Sequence, residues 1–171
     1  MCDIGNWIVG IISGLVSSFC FFVIIFLIKP KIIVADKICK NIVGNDVIYK
    51  IKIVNKSHAM LTNLNYSLYY KIEGKDGVHE IFEIPPSKSP IVFVDKYDRN
   101  DTDADYAVRI SYNVDASQFP IKDNTKFVFN LIASHSTTGS AKSVVKEYKA
   151  ENIIENGLYE TGKSVKIINK R

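Results

Sequence analysis

Few side chains in this sequence have the types and spacing that catalysis requires. The three histidines, His58, His79 and His135, are scattered, and no two cysteines have the spacing of metal ligands. In Ser134–Ser136 two hydroxyls flank an imidazole, but neighbouring side chains on a strand point to opposite faces and are poorly placed for proton transfer. The sequence therefore predicts a protein that is not an enzyme and that uses no metal or cofactor.

The chemistry that the sequence does offer is recognition of phosphate groups and bases. The stretch SHSTTGSAKSVVKEYK combines cations and hydrogen-bond donors with an aromatic ring, which are the groups that bind nucleic-acid backbones and stacked bases. Other cations fall on outward positions of predicted strands. The predicted ligand-binding residues, all expected on exposed faces, are His135, Lys142, Lys146, Tyr148, Arg109, Lys50 and Lys52. The alternative, that these lysines only keep the domain soluble, stays open because the net charge of the chain is only +4.

These groups must be positioned by a chain whose first part differs from the rest. No charged residue occurs from Asn6 to Ile28, and at about 1.5 Å per residue a helix of this length crosses a hydrocarbon core of about 30 Å. A cleaved signal peptide fits less well, because no basic residue precedes the apolar run and Lys29–Lys31 follows it in place of small residues. We predict a transmembrane helix over residues 6–28.

The first half of the predicted span is rich in small residues at helical spacing. Gly10, Gly14 and Ser18 recur every four residues, a pattern that lets helix backbones approach closely, and we predict that they carry the assembly of several copies. Ser13 and Ser17 lie on nearly the same side and are the predicted pore-lining residues, since their hydroxyls would face a central path. The alternative is a plain anchor in which these residues have no special role.

Charges flanking the span predict its orientation. Lys29, Lys31, Lys37 and Lys40 follow it, whereas only Asp3 precedes it. Positive residues stay on the cytoplasmic side, so the N-terminus is expected outside and residues 29–171 in the cytoplasm. The lone cysteine of this second part agrees with a reducing compartment.

Apolar residues beyond Pro30 recur with a period of two. Runs such as Leu64–Ile72, Tyr106–Val114 and Phe127–Ala133 place large apolar residues at every second position, which is typical of half-buried antiparallel strands. Clusters of glycine, proline, asparagine and aspartate separate the runs. We predict that residues 29–171 form one all-β ligand-binding domain, an antiparallel β-sandwich or partly closed barrel of about seven to nine strands. For Ala150–Gly157 one helical turn remains an alternative to a β-turn.

The combination of a single span, a short tether and a basic β domain resembles the membrane effectors of bacterial nucleotide-signalling defence systems. The stretch NLIASHSTTGSAKSVVKEY, with ENIIENGLYETGKSVKI after it, is similar to the C-terminal part of the membrane effectors of Hailong anti-phage systems. The resemblance implies a homo-oligomer, a tetramer, in the bacterial inner membrane. It also implies a partner nucleotidyltransferase whose single-stranded DNA oligomers bind the β domain and hold the effector silent, so that loss of the ligand opens the membrane part and depolarises the cell.

Two other functions stay open. A CBASS effector with a membrane-anchored β-barrel would be activated by a cyclic oligonucleotide, but that group typically has two spans and this chain has one predicted span. A membrane-tethered scaffold would instead bind another protein through an exposed β edge.

Overall fold

The computed structural model describes residues 4–44, 46–74, 76–115 and 118–169, which contain one long helix, a short 3-10 helix and twelve strands. The long helix, α1, spans Ile4–Leu27, and the 3-10 helix spans Ala150–Asn152. The strands are β1 (Ile32–Val34), β2 (Ile38–Val43), β3 (Asp46–Asn55), β4 (Leu61–Glu73), β5 (His79–Ile84), β6 (Phe93–Val94), β7 (Ala107–Asp115), β8 (Thr125–His135), β9 (Ala141–Tyr148), β10 (Ile153–Glu155), β11 (Gly157–Tyr159) and β12 (Ile167–Asn169). The predicted all-β fold, preceded by one N-terminal helix, is confirmed.

The strands form two five-stranded sheets with a shared core. In the first sheet, β3 pairs with β7 on one side and with β1 and β2 on the other, and β2 continues to β10. In the second sheet, β4 pairs with β8 on one side and with β5 and β6 on the other, and β8 continues to β9. A separate hairpin, β11–β12, completes the chain described by the structure. One pairing departs from the antiparallel prediction, because the short strand β10 runs parallel to β2.

Every second residue along most of β3, β7 and β8 is buried between the sheets, as the period of two predicts. Tyr49 of β3 meets Phe127 of β8 across the core, with ring centroids 4.7 Å apart. Such aromatic contacts and the aliphatic rows beside them remove apolar surface from water and hold the sheets together. The rows are Tyr49, Ile51 and Ile53 in β3, Ile110, Tyr112 and Val114 in β7, and Phe127, Phe129, Leu131 and Ala133 in β8.

Helix α1 lies outside this core. The segment Gly5–Ile25 is long and apolar enough to cross a membrane, and none of it is buried by the rest of the chain. Its large apolar side chains are exposed; Trp7, for example, is 71% exposed. An apolar helix that the other described residues leave unburied matches the length and composition of a membrane span.

The end of α1 is attached to the β domain by side-chain hydrogen bonds. The last carbonyl groups of a helix have no partner within it. Here the Ser140 hydroxyl donates to the Ile28 carbonyl oxygen at 2.6 Å, and the Thr138 hydroxyl lies 3.3 Å from the same oxygen. Both donors lie in the β8–β9 turn, where Gly139 has the positive φ of +68° that a glycine accepts without strain. The turn thus fixes the position of the helix end.

Truncating a central core residue should show how much of the stability comes from these rows. Phe129 is fully buried, and Phe129→Ala is expected to lower the free energy of unfolding by about 3–5 kcal/mol, because it leaves a cavity between the sheets. The control Val145→Ala, on the exposed face of β9, should change it by less than about 0.5 kcal/mol. Urea unfolding of the detergent-solubilised chain, followed by circular dichroism, measures both. Equal effects of the two substitutions would contradict the assigned core.

Candidate ligand surface and membrane helix

The predicted ligand residues of β9 lie on the inner side of that strand. In the register of β8 and β9, Lys142 pairs with Ala133, Lys146 with Phe129 and Tyr148 with Phe127. Partners across a ladder share a face, and the β8 partners are all buried. The prediction that Lys142, Lys146 and Tyr148 point outward was therefore wrong, because these residues lie on the face of β9 that turns toward the core. The strand pattern alone did not reveal this, because the inner row of β9 alternates lysine with apolar residues.

Two of these side chains connect β9 to the first sheet. The Tyr148 hydroxyl donates to the Ala35 carbonyl oxygen at 2.7 Å, and the Lys146 ammonium lies 2.5 Å from Asp36. Burial, with a smaller contribution from Asp36, raises the pKa of Tyr148. Because its ring is fully buried, Tyr148 offers no free face on which a base could stack. The two contacts close the seam between β1 and β9.

His135 is buried at the end of β8. Only 7% of the residue is exposed, and its Nδ1 has no hydrogen-bond partner within the described residues. Its backbone N–H donates to the Ser140 carbonyl oxygen at 2.9 Å, so the residue belongs to the same turn that holds the helix end. The prediction of an outward imidazole was wrong, because His135 continues the inward row of β8.

Lys52 is a buried structural cation instead of an exposed ligand contact. It is 1% exposed, and its ammonium donates to the carbonyl oxygens of Glu160, Gly162 and Ser164 at 2.6, 2.6 and 2.7 Å. Burial, reinforced by repulsion from Arg109, lowers the pKa of Lys52 to about 8. Sequence pattern placed this lysine correctly on the outer face of β3, but the loop between β11 and β12 covers that face. The covering loop overturns the expected exposure.

Lys50 and Arg109 remain reachable on the same outer face. Lys50 is half-buried and Arg109 is exposed, and Arg109 lies opposite Lys52 in the register of β3 and β7. One Arg109 guanidinium nitrogen donates to the Tyr159 carbonyl oxygen at 3.3 Å. The Tyr159 hydroxyl in turn donates to the Lys37 and Lys50 carbonyl oxygens at 2.6 and 3.0 Å.

The structure does not bring the seven predicted ligand residues into one surface. His135, Lys142, Lys146 and Tyr148 follow the inner side of the second sheet, whereas Lys50, Lys52 and Arg109 lie on the outer side of the first. Of the first group, Lys142 is partly exposed and makes no ion pair with the residues described here, and Lys146 is held by Asp36. A polyanion can therefore reach two separate parts of the prediction, the β9 edge with Lys142 and Lys146 and the outer face with Lys50 and Arg109.

A cavity at the end of α1 was missed by the sequence reasoning. It has a volume of about 430 Å³ and lies between Ile28 and Lys31 on one side and His58 and His135 on the other. In the sequence, Lys29 and Lys31 indicate only the orientation of the span, and His58 and His135 lie 77 positions apart. Pairing of β4 with β8, which matches Leu61 to His135, brings these segments together.

The small residues of α1 follow one side of the helix. At 3.6 residues per turn, Gly10, Ser13, Gly14, Ser17 and Ser18 fall within an arc of about 140°. A Cβ added at Gly10 or at Gly14 would meet nothing within 4 Å, so this side of a single chain is open. The Ser13 hydroxyl donates to the Gly10 carbonyl oxygen at 3.0 Å. That bond gives the hydroxyl a partner within the helix, and Ser13 does not need a wet path to be satisfied.

Comparisons with known proteins add little to this geometry. No protein-family model and no curated protein matches the sequence. Among solved structures, the crystal structure of wild-type OgpA from Akkermansia muciniphila is 13% identical over 72% of this chain, with a TM-score of 0.34. The matched region spans 28% of that protein. Within the described ranges no group of three or more histidine, cysteine, aspartate or glutamate residues could hold a metal ion.

Removing the buried ammonium of Lys52 should destabilise the domain. Lys52→Met leaves three carbonyl oxygens without their donor, and each costs about 1–3 kcal/mol if it stays buried. We expect the free energy of unfolding to fall by about 3 kcal/mol or more, against little change in the control Lys50→Met. Between pH 8 and 10.5, Lys52 is still protonated in the unfolded chain but has lost its proton in the folded one. The free energy of unfolding of wild type therefore rises with pH, and the deficit of Lys52→Met relative to wild type should widen.

Urea titrations of wild type and both variants at pH 7.5 and pH 10 measure this difference, and comparison of variants cancels the titration of other groups. A deficit that narrows as the pH rises would contradict the lowered pKa of Lys52. Equal stability of the two variants would contradict its buried role.

Proposed function

We propose that this protein is an oligomeric membrane effector of bacterial anti-phage defence. In this proposal α1 crosses the inner membrane with its N-terminus outside, and the cytoplasmic β domain binds single-stranded DNA oligomers or a related nucleotide signal that controls a membrane pore. The observation that carries it is the attachment of an exposed, membrane-length helix to the turn that starts β9, the strand that bears Lys142 and Lys146. The resemblance of the C-terminal stretch to Hailong effectors supports the same function.

The ligand contact proposed for the β9 edge uses an exchange of ionic partners. Lys146 pairs with Asp36, whose side chain is 78% exposed, and exposed ion pairs of this kind contribute little to stability. A phosphate of the oligomer can take the place of Asp36 beside Lys146, while Lys142 binds a second phosphate of the same DNA strand. Since β9 begins directly after Ser140, a ligand on this edge lies next to the hydrogen bond that holds Ile28.

Control of the pore is proposed to be a shift between two assemblies of α1. The small-residue side containing Gly10, Gly14 and Ser18 allows close helix packing in a homo-oligomer, for which the resemblance implies a tetramer. A ligand shifts the balance only by the difference between its affinities for the closed and open assemblies. In the proposed system a partner nucleotidyltransferase makes the oligomer, and its loss favours the open form.

A protein-binding scaffold is the second candidate, and the edge strand β5 favours it. Five of its six residues are exposed, among them Ile81 at 59% and Phe82 at 46%. Among described residues β5 pairs only with β4, so its other edge is open to strand addition. Binding through this edge would use main-chain hydrogen bonds and apolar side chains such as Ile81 and Phe82, and so would depend much less on salt than binding to the lysines of β9.

Binding of single-stranded DNA to the full chain tests the proposed ligand site. In detergent, fluorescence anisotropy with a labelled oligo-deoxyadenylate should show an affinity that falls steeply between about 50 and 200 mM salt. Lys142→Ala is expected to weaken binding and to flatten the slope of log Kd against log salt by about 0.7, the value for one lost phosphate contact on a single strand.

The control is Lys88→Ala, an exposed lysine outside the β9 edge, which should leave Kd and slope close to wild type. Absence of binding at low salt would reject the DNA-binding function and leave the scaffold. Equal losses in the two variants would reject the β9 edge as the site.

Replacing Gly14 tests whether the small-residue side governs assembly. Gly14→Leu keeps the span apolar, and a Cβ at this position meets nothing within 4 Å outside the helix's own neighbouring backbone, so its effect should fall on contacts between copies. We expect it to abolish cross-linked oligomers and to relieve the growth defect and depolarisation caused by expression without ligand. Val16→Leu, which lies roughly 160° around the helix from Gly14, is the matched control. If both variants behave as wild type, α1 is a plain anchor.

A further inference from the structure

The cavity at the end of α1 has an apolar side that continues the surface of the helix. Leu27 and Ile28 line it, and both are exposed in the single chain. Ala59 adds an apolar wall from the β domain. An elongated apolar group that lies along α1 can therefore enter the cavity without leaving apolar surroundings.

The opposite side of the cavity is basic. Lys29, Lys31, His58 and His135 line it, and no lining residue in the described chain carries a carboxylate. Three lysines elsewhere on the domain, Lys40, Lys126 and Lys146, have acidic partners within the described chain. A cavity whose described lining includes basic groups and carries no carboxylate is suited to an anion.

His135 adds to the wall of the cavity a buried imidazole with unused hydrogen-bonding capacity. Its Nδ1 is buried and has no hydrogen-bond partner among described residues, although buried polar atoms are nearly always paired. The neighbouring Asn55 is fully satisfied: its amide nitrogen donates to the Ala59 and Asp95 carbonyl oxygens, and its Oδ1 accepts from the Ser57 N–H. The unpaired imidazole is thus a local exception that lines the cavity.

The geometry points to a site for the phosphate of an anionic phospholipid headgroup. This inference rests on the proposed placement of α1 in a bilayer, which sets the cavity at the membrane surface. The acyl part would lie along Leu27 and Ile28, and the phosphate would lie among Lys29, Lys31 and the imidazoles. A free phosphate ion offers the same charge but has no group for the apolar side, so the lipid should bind better.

Thermal unfolding of the full chain in detergent tests this site. Short-chain phosphatidylglycerol should raise the midpoint Tm in a saturable way, whereas short-chain phosphatidylcholine and inorganic phosphate at matched concentration should not. Lys31→Gln is expected to weaken the apparent affinity about fivefold, the effect of about one lysine near an anionic surface. Lys31 donates its backbone N–H to Ser57, and this bond survives the substitution. His135→Gln should weaken the affinity as well.

The matched control is Lys37→Gln, which removes the same charge from an exposed lysine outside the cavity and should leave the affinity unchanged. Equal responses to the two lipids, an equal response to inorganic phosphate, or equal weakening by Lys31→Gln and Lys37→Gln would each overturn the site. Oligo-deoxyadenylate binding and flotation with vesicles are measured on the same samples. If they persist while phosphatidylglycerol has no effect, only the lipid site falls; if wild type fails to float with vesicles, the proposed membrane function falls with it.

Discussion

The contact on which the architecture depends is the one made by the Ile28 carbonyl oxygen. The final carbonyls of a helix need partners from elsewhere, and here the hydroxyls of Ser140 and Thr138 in the β8–β9 turn supply them. The Lys31 N–H donates to Ser57 at 2.8 Å just beyond. Few residues separate α1 from β1, so these bonds lie directly at the junction of the helix and the β domain. A change in the β8–β9 turn is thereby a change at the end of the helix.

Two sets of contacts of different strength close the β domain, and the proposed function uses the weaker set. Its outer face is closed by buried contacts, in which Lys52 holds three carbonyl oxygens of the C-terminal loop. Its β1–β9 seam is closed by one buried contact, from Tyr148 to Ala35, and by the exposed pair of Lys146 and Asp36. The first closure is costly to open, whereas the ionic half of the second is weak. A polyanion is accordingly proposed to act at the seam.

Sequence reasoning predicted the layout of the fold well and the site poorly, and the reasons are physical. A period of two identifies strands and their buried rows, and the buried row of Phe127–Ala133 is evident from the sequence because every second residue of that run is apolar. On β9 one face mixes lysine with apolar residues and the other mixes serine and glutamate with apolar residues, so the pattern does not decide which face is inward. The burial of Lys52 depends on a loop more than a hundred residues later in the chain, and no local signal announces such a contact. The cavity beside His135 likewise arises only from strand pairing.

Ion flux through reconstituted protein, measured with and without oligo-deoxyadenylate, tests most directly whether the β domain controls the membrane helix through the Ile28 contact. Wild-type protein is expected to conduct ions in liposomes, and the oligomer is expected to suppress this flux. Ser140→Ala, which removes the 2.6 Å hydrogen bond to Ile28, is expected to bind the oligomer as wild type does but to show little suppression of flux. Control through the Ile28 contact would be contradicted if the oligomer left the wild-type flux unchanged, or if it suppressed the flux equally in Ser140→Ala and wild type.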